Sequence, residues 1–168
     1  MKAIVVYESL WGNTAAIARA IAEGIGGETP ALSTAEATGA ALQGVDLIVA
    51  GAPLQGFSLP REQAREAARA DRKHAERPPD LSHPSMRSWL AALPAGSGRA
   101  AAFETRFRWS PGSATKLILR GLAEKGYQAV GNGQRFIVLG TYGPLREGEI
   151  ERARAWGAEL ARSELDAG

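Results

Sequence analysis

The run Lys2-Ala3-Ile4-Val5-Val6-Tyr7 is short, rich in β-branched side chains and lacks polar alternation. It reads as a strand buried on both faces, which requires a sheet covered above and below. A helical pattern follows six residues later, with Ile17, Ile21 and Ile25 four apart and Ala18 and Ala22 beside them. Gly24, Gly26 and Gly27 are expected to end it. Val45 to Ala50 reads as a second buried strand, Arg99 to Phe103 as a third and Gln134 to Leu139 as a fourth. Helical patterns occupy 85–93, 113–125 and 147–165. Strands alternating with helices imply right-handed βαβ units and a parallel sheet with helices on both faces.

Other segments are weaker. Residues 28–43 hold a short edge strand and a short Ala-rich helix. Asn132-Gly133 is a turn signal that makes the last strand region either interrupted or hairpin-like. Residues 61–76 are Ala plus charges with no large apolar side chain, so that helix is expected to be a solvated cover or a lid. Residues 74–84, with Pro78, Pro79 and Pro84, read as a loop inside one domain spanning 1–168.

Composition narrows the chemistry. The 168 residues include no Cys and only two His, which removes thiolate, iron–sulfur and Cys–zinc chemistry and leaves no metal site in expectation. Any redox activity has to come from a bound organic cofactor. Both His74 and His83 are expected at the surface, and no catalytic residue is assigned. No stretch approaches a membrane span and nothing marks secretion, so the expected compartment is the cytoplasm. A net charge of +2 is too mild to imply nucleic acid.

The strongest chemical signal is Glu8-Ser9-Leu10-Trp11-Gly12-Asn13-Thr14, between the first strand and the first helix. A loop there directs backbone N–H groups and hydroxyls at the helix N-terminus, an environment that binds phosphate without Lys or Arg. It is neither a Gly-x4-Gly-Lys-Ser/Thr nor a Gly-x-Gly-x-x-Gly loop and suits a terminal monophosphate. Taken alone, Asn13 or Thr14 serves equally as an ordinary helix cap. Position favours the ligand, because open parallel sheets bind beyond the carboxyl ends of their strands. Glu8 would repel a phosphate, so it is expected to face solvent or cap a neighbouring amide.

Ser9-Leu10-Trp11-Gly12-Asn13-Thr14 resembles the flavodoxin phosphate pattern Ser/Thr-x-Thr-Gly-x-Thr, with Trp11 where Thr is usual. Gly51-Ala52-Pro53-Leu54-Gln55-Gly56-Phe57 resembles the family's first flavin loop. Gly140 to Leu145 and the Trp156 helix resemble a subset of the same family. The resemblance implies a three-layer α/β sandwich, with a five-stranded parallel sheet of order 2-1-3-4-5. It also implies FMN, with its phosphate at Ser9, Leu10, Trp11, Gly12, Asn13 and Thr14. Its ring would lie between a loop containing Pro53, Leu54, Gln55, Gly56 and Phe57 and a third loop containing Glu104, Thr105, Arg106, Trp109 and Gly112. Trp11, Phe57, Phe107 and Trp109 are the stacking candidates, although each could equally be a packing aromatic. Gly56 is the position whose peptide would reorient toward the flavin. Backbone groups near Leu54, Glu104, Thr105 and Gly112 would meet its pyrimidine edge.

Charge is uneven. Residues 1–60 carry two basic against five acidic residues, whereas 99–120 carry five basic residues against Glu104 alone. A basic third loop would stabilise a reduced, anionic flavin and attract an anionic substrate, or it is a solvated loop whose Arg stems cover apolar surface. The resemblance therefore leaves three readings. One is an electron carrier working with a redox partner protein or an NAD(P)H reductase. Another is a small FMN-dependent NAD(P)H oxidoreductase acting on a quinone or porphyrinogen-type acceptor. The third is a binding module that has lost FMN.

Overall fold

A computed structural model describes residues 1–165. β1 (Ala3–Tyr7), β3 (Leu47–Pro53) and β4 (Arg99–Arg106) form the sheet's centre, with β2 (Ala31–Ser33) outside β1. All pairings are parallel, in the order β2-β1-β3-β4-β5. The fifth position is filled by two short strands in line, β5 (Gln128–Ala129) and β6 (Gln134–Ile137). Both pair parallel with β4, at Arg99–Ala100 and at Phe103–Arg106 respectively. The Asn132-Gly133 signal therefore marks an interruption in one strand line and not a hairpin.

Each sheet face carries its own apolar core. On one side α1 (Asn13–Ile25) and α5 (Glu149–Leu165) pack through Ile17, Ile21, Ala153 and Leu160 onto Val5, Val49 and Phe103. On the other, α3 (Met86–Ala92) and α4 (Thr115–Glu124) bring Met86, Trp89, Ile118 and Leu122 onto Ile4, Ile48 and Ala102. α2 (Glu62–Ala70) covers the sheet end beside α3.

Two glycines explain where the structure departs from the sequence reading. Gly24 lies inside α1 and does not end the helix; a Cβ there would come within 1.9 Å of the Arg154 carbonyl oxygen, so the glycine admits α5. Gly51 lies inside β3, with the Phe103 ring where its Cβ would be. β3 accordingly runs to Pro53, and Asp46, before its start, accepts from the Lys2 amide at 2.6 Å.

Among the described residues no helix is long and apolar enough to cross a membrane, and no cluster of His, Asp and Glu could hold a metal ion.

Candidate functional site

The chain leaves β1 for β2 on one side and reaches β3 on the other, so the loops after β1 and β3 part at their carboxyl ends. In such sheets that parting is where ligands bind. A cleft of about 260 Å³ opens there, lined by parts of the loops after β1, β3, β4 and β6. It is slightly smaller than the roughly 300–1,000 Å³ usual for closed small-molecule sites, and it is open to solvent.

The first loop turns sharply at Gly12, whose φ of 97° favours glycine, and α1 begins at Asn13. No side chain caps the helix. The first helical bond runs from Ala16 N–H to the Gly12 carbonyl, so the amides of Asn13, Thr14 and Ala15 have no protein acceptor among the described residues. The Ser9 hydroxyl accepts from Gly12 N–H at 3.0 Å and keeps its own proton free to donate. The Thr14 hydroxyl is buried and shares a 2.8 Å hydrogen bond with Thr105, tying the first loop to the end of β4. Three unpartnered amides at a positive helix end are an arrangement that could hold an anion.

The loops after β3 and β4 are also joined. Leu54 N–H donates to the Thr105 carbonyl (2.8 Å), and Ser113 N–H to that of Phe57 (3.2 Å). Gln55 and Ser58 close a two-residue turn through paired backbone bonds, with Gly56 and Phe57 both at positive φ. Positive φ at both central residues is the mark of a type I′ turn, and Phe57 at 71° is held against its steric preference. The side-chain oxygen of Gln55 is buried with no partner.

Of the residues expected at a ligand, Ser9, Leu10, Trp11, Asn13 and Thr14 line the cleft from the first loop. Pro53, Leu54 and Gln55 line it from the second, with Thr105, Arg106 and Phe107 opposite. Gly12 shapes the loop from the adjoining groove. Phe57 and Trp109 project into solvent at the loop tips, 68% and 84% exposed. The Glu104 side chain is fully buried, with Ser113, Thr115 and Arg106 around its carboxylate, where it braces the start of α4. Arg106 donates to the Gly112 carbonyl at 3.0 Å, so that carbonyl and the Leu54 amide are already engaged within the protein.

The remaining wall comes from residues that sequence reasoning placed elsewhere. His74 is buried, contrary to its expected surface position, and with Lys73 lines the cleft. Its Nδ1 is 2.5 Å from the Tyr142 hydroxyl, and its ring lies 4.9 Å from that of Trp11. Trp11 in turn donates through Nε1 to the Arg77 carbonyl at 2.8 Å. Segment 61–76 is thus a cover whose tail forms one side of the site, a contact that no periodic pattern announces.

Behind the first loop lies a second unexpected layer. His83 is also buried, and Ser9 N–H donates to its Nε2 at 3.2 Å. Glu8 is fully buried; its Oε1 accepts from Met86 N–H at 2.8 Å, so it caps an amide and does not face solvent. Arg65 of α2, also buried, sets its Nε 3.5 Å from Glu8 Oε2 and donates from Nη2 to the His83 carbonyl at 2.6 Å. Asp80 N–H donates to the Leu10 carbonyl at 2.8 Å. The Pro-rich loop is the backing of the first loop.

Comparison with solved structures matches this arrangement over nearly the whole chain. A flavodoxin from the domain Archaea is 24% identical, with 97% of this chain and 98% of that one aligned at a TM-score of 0.67. Oxidised flavodoxin 2 from Bacillus cereus is 17% identical, covering 97% and 99%, at 0.68. The chain has the flavodoxin fold. A flavodoxin, WrbA-like protein from Agrobacterium tumefaciens shares the fold at 22% identity, 96% of each chain and a TM-score of 0.56. No family model and no curated protein matches the sequence. Within the flavodoxin fold, the expected strand order holds, with its fifth strand in two pieces.

Proposed function

We propose that this flavodoxin-like chain binds FMN and transfers electrons in the cytoplasm. The observation that carries the proposal is the uncapped start of α1 inside the cleft, with three adjacent amides lacking acceptors. The residues present fit the group. Those amides and the Ser9 hydroxyl suit a phosphate monoester, and the unpartnered Gln55 oxygen suits a donor on a ring edge. Trp11 and Phe107 supply apolar walls for a planar ring. Bound FMN supplies one- and two-electron redox chemistry. The protein orients the ring, excludes water from one side of it and sets its electrostatic surroundings.

Those surroundings are basic at the rim. Lys73 and Arg106 line the cleft paired with Asp71 and Glu104, while exposed Arg108 stacks on Trp109, 5.0 Å from its ring centre. This supports an anionic partner, either a redox protein with an acidic docking face or an NAD(P)H reductase. The same observation favours a second reading, an oxidoreductase that takes hydride from NAD(P)H directly and reduces a quinone.

Titration with FMN and riboflavin tests the first claim: FMN fluorescence should be quenched, and riboflavin should bind more weakly. A protein that quenches neither flavin overturns the proposal. Steady NADPH oxidation with a quinone and no added reductase would establish the enzyme over the carrier.

A further inference from the structure

We propose that His83 is a positioning residue for the phosphate loop. Neutral and protonated on Nδ1, it accepts the Ser9 amide through Nε2 and fixes the loop in the shape that takes a phosphate monoester. The inference deepens the FMN reading and rests on it for the identity of the ligand.

Ser9 is the hinge of the loop. Its amide is held by the His83 ring at 3.2 Å, while its hydroxyl holds Gly12 N–H at 3.0 Å, immediately before the three unpartnered amides of α1. The imidazole therefore acts through one residue on the group that sets the Gly12 turn. An N–H donor pointed at Nε2 requires a lone pair there, so the ring proton lies on Nδ1. That nitrogen lies 3.9 Å from Asp80 Oδ1. The backbone that carries the ring is held in place, because Arg65 donates to the His83 carbonyl and the Asp80 amide donates to the Leu10 carbonyl. His83 is thus fastened to both the loop and its support.

Protonation would convert Nε2 from acceptor to donor and oppose it to the Ser9 N–H. The charged groups around the ring act in both directions. Asp80 favours the imidazolium and Arg65 opposes it; Glu62 moderates the Arg65 charge, whereas Glu8, its carboxyl pushed up to about 7 by burial, is largely protonated in the acid range where the ring would titrate. Burial adds to the opposition and holds His83 below the usual histidine range. The loop accordingly keeps its shape at neutral pH and loses it only in acid.

The test compares wild type with His83→Phe and His83→Gln, since a glutamine oxygen can accept the Ser9 amide in place of Nε2. Removing the acceptor leaves a buried amide unpaired, and His83→Phe should weaken FMN by roughly tenfold or more. Riboflavin, which lacks the phosphate, should change less than about twofold, and His83→Gln should recover most of the FMN affinity. As the pH falls, the ratio of FMN to riboflavin affinity should drop in wild type beyond its drop in His83→Gln. That comparison cancels the titration of the ligand's own phosphate. Nitrogen-15 NMR of the flavin-free chain should show His83 protonated at Nδ1 and bare at Nε2. A proton on Nε2 overturns the proposal, as does an equal loss of both flavins in His83→Phe without recovery in His83→Gln. If wild type binds neither flavin, the FMN reading fails alone, and the NMR result still decides whether His83 holds Ser9.

Discussion

Arg65 Nε lies 3.5 Å from Glu8 Oε2, both side chains are buried, and neither of these two atoms makes a hydrogen bond. Two buried polar atoms thus face each other without a hydrogen bond, at the foot of the first loop. Buried pairs of this kind recover little of their desolvation cost.

Glu8 therefore gives stability an unusual pH dependence. Burial pushes its carboxyl up to about 7, against the pull of the Met86 amide and the Arg65 guanidinium. A carboxyl raised on folding holds its proton more tightly in the folded chain. Its contribution is full below its unfolded value near 4.5 and is lost as the pH rises through about 7. At about 1.4 kcal/mol per unit, the loss is on the order of 3 kcal/mol. Urea unfolding from pH 4 to 8 should show this decline in wild type and a flatter profile in Glu8→Gln. Parallel profiles would show that Glu8 does not titrate there.

The Thr14–Thr105 hydrogen bond joins the first and third loops. Thr14→Ala and Thr105→Ala should each cost about 1 kcal/mol of stability, and the double variant should cost less than their sum. Thr14→Ala should also weaken FMN more than riboflavin. Equal weakening of the two would place the phosphate elsewhere.

Gly112 has a φ of 94°, and a Cβ there would fall 2.0 Å from the Phe57 carbonyl oxygen. Gly112→Ala should part the second and third loops, costing roughly 1–3 kcal/mol and reducing affinity for FMN and riboflavin alike. Thermal unfolding with paired flavin titrations checks this. Wild-type behaviour in both would mean that the loops do not need their close approach.

Arg106 is buried beside the cleft, and its charge faces Glu104 at 3.5 Å as well as the Gly112 carbonyl. Arg106→Gln should make bound flavin harder to reduce, because a cation near the ring favours its anionic reduced form. Potentiometric titration reads the change. A potential that stays in place or rises would assign Arg106 to bracing the third loop only.

What the sequence made legible was local. β1, α1 and the loop between them can be read because apolar spacing and the Gly12 turn lie within one short stretch. The sequence pattern sets β3 a few residues early, because Gly51 has the character of a loop residue and only the Phe103 ring packed over it accounts for its place in the strand. The His74 wall and the His83 backing were missed for a different reason. Both lie in a polar, Pro-rich stretch without periodicity, and their partners are Trp11, Tyr142, Ser9 and Arg65, distant in sequence. Burial of a histidine by a distant loop leaves no pattern in its own neighbourhood.

Ser9 is separated from His83 by 74 positions, and Glu8 from Met86 by 78. Contacts over such spans form late, after local helices and turns have already appeared. β1 and α1 can assemble while the loop between them is still without support. A nascent chain extended only to β2 has the loop's full sequence and none of its backing. The backing of the loop is therefore completed only near the middle of the chain, at His83 and Met86, although the residues that would touch a phosphate belong to its first tenth.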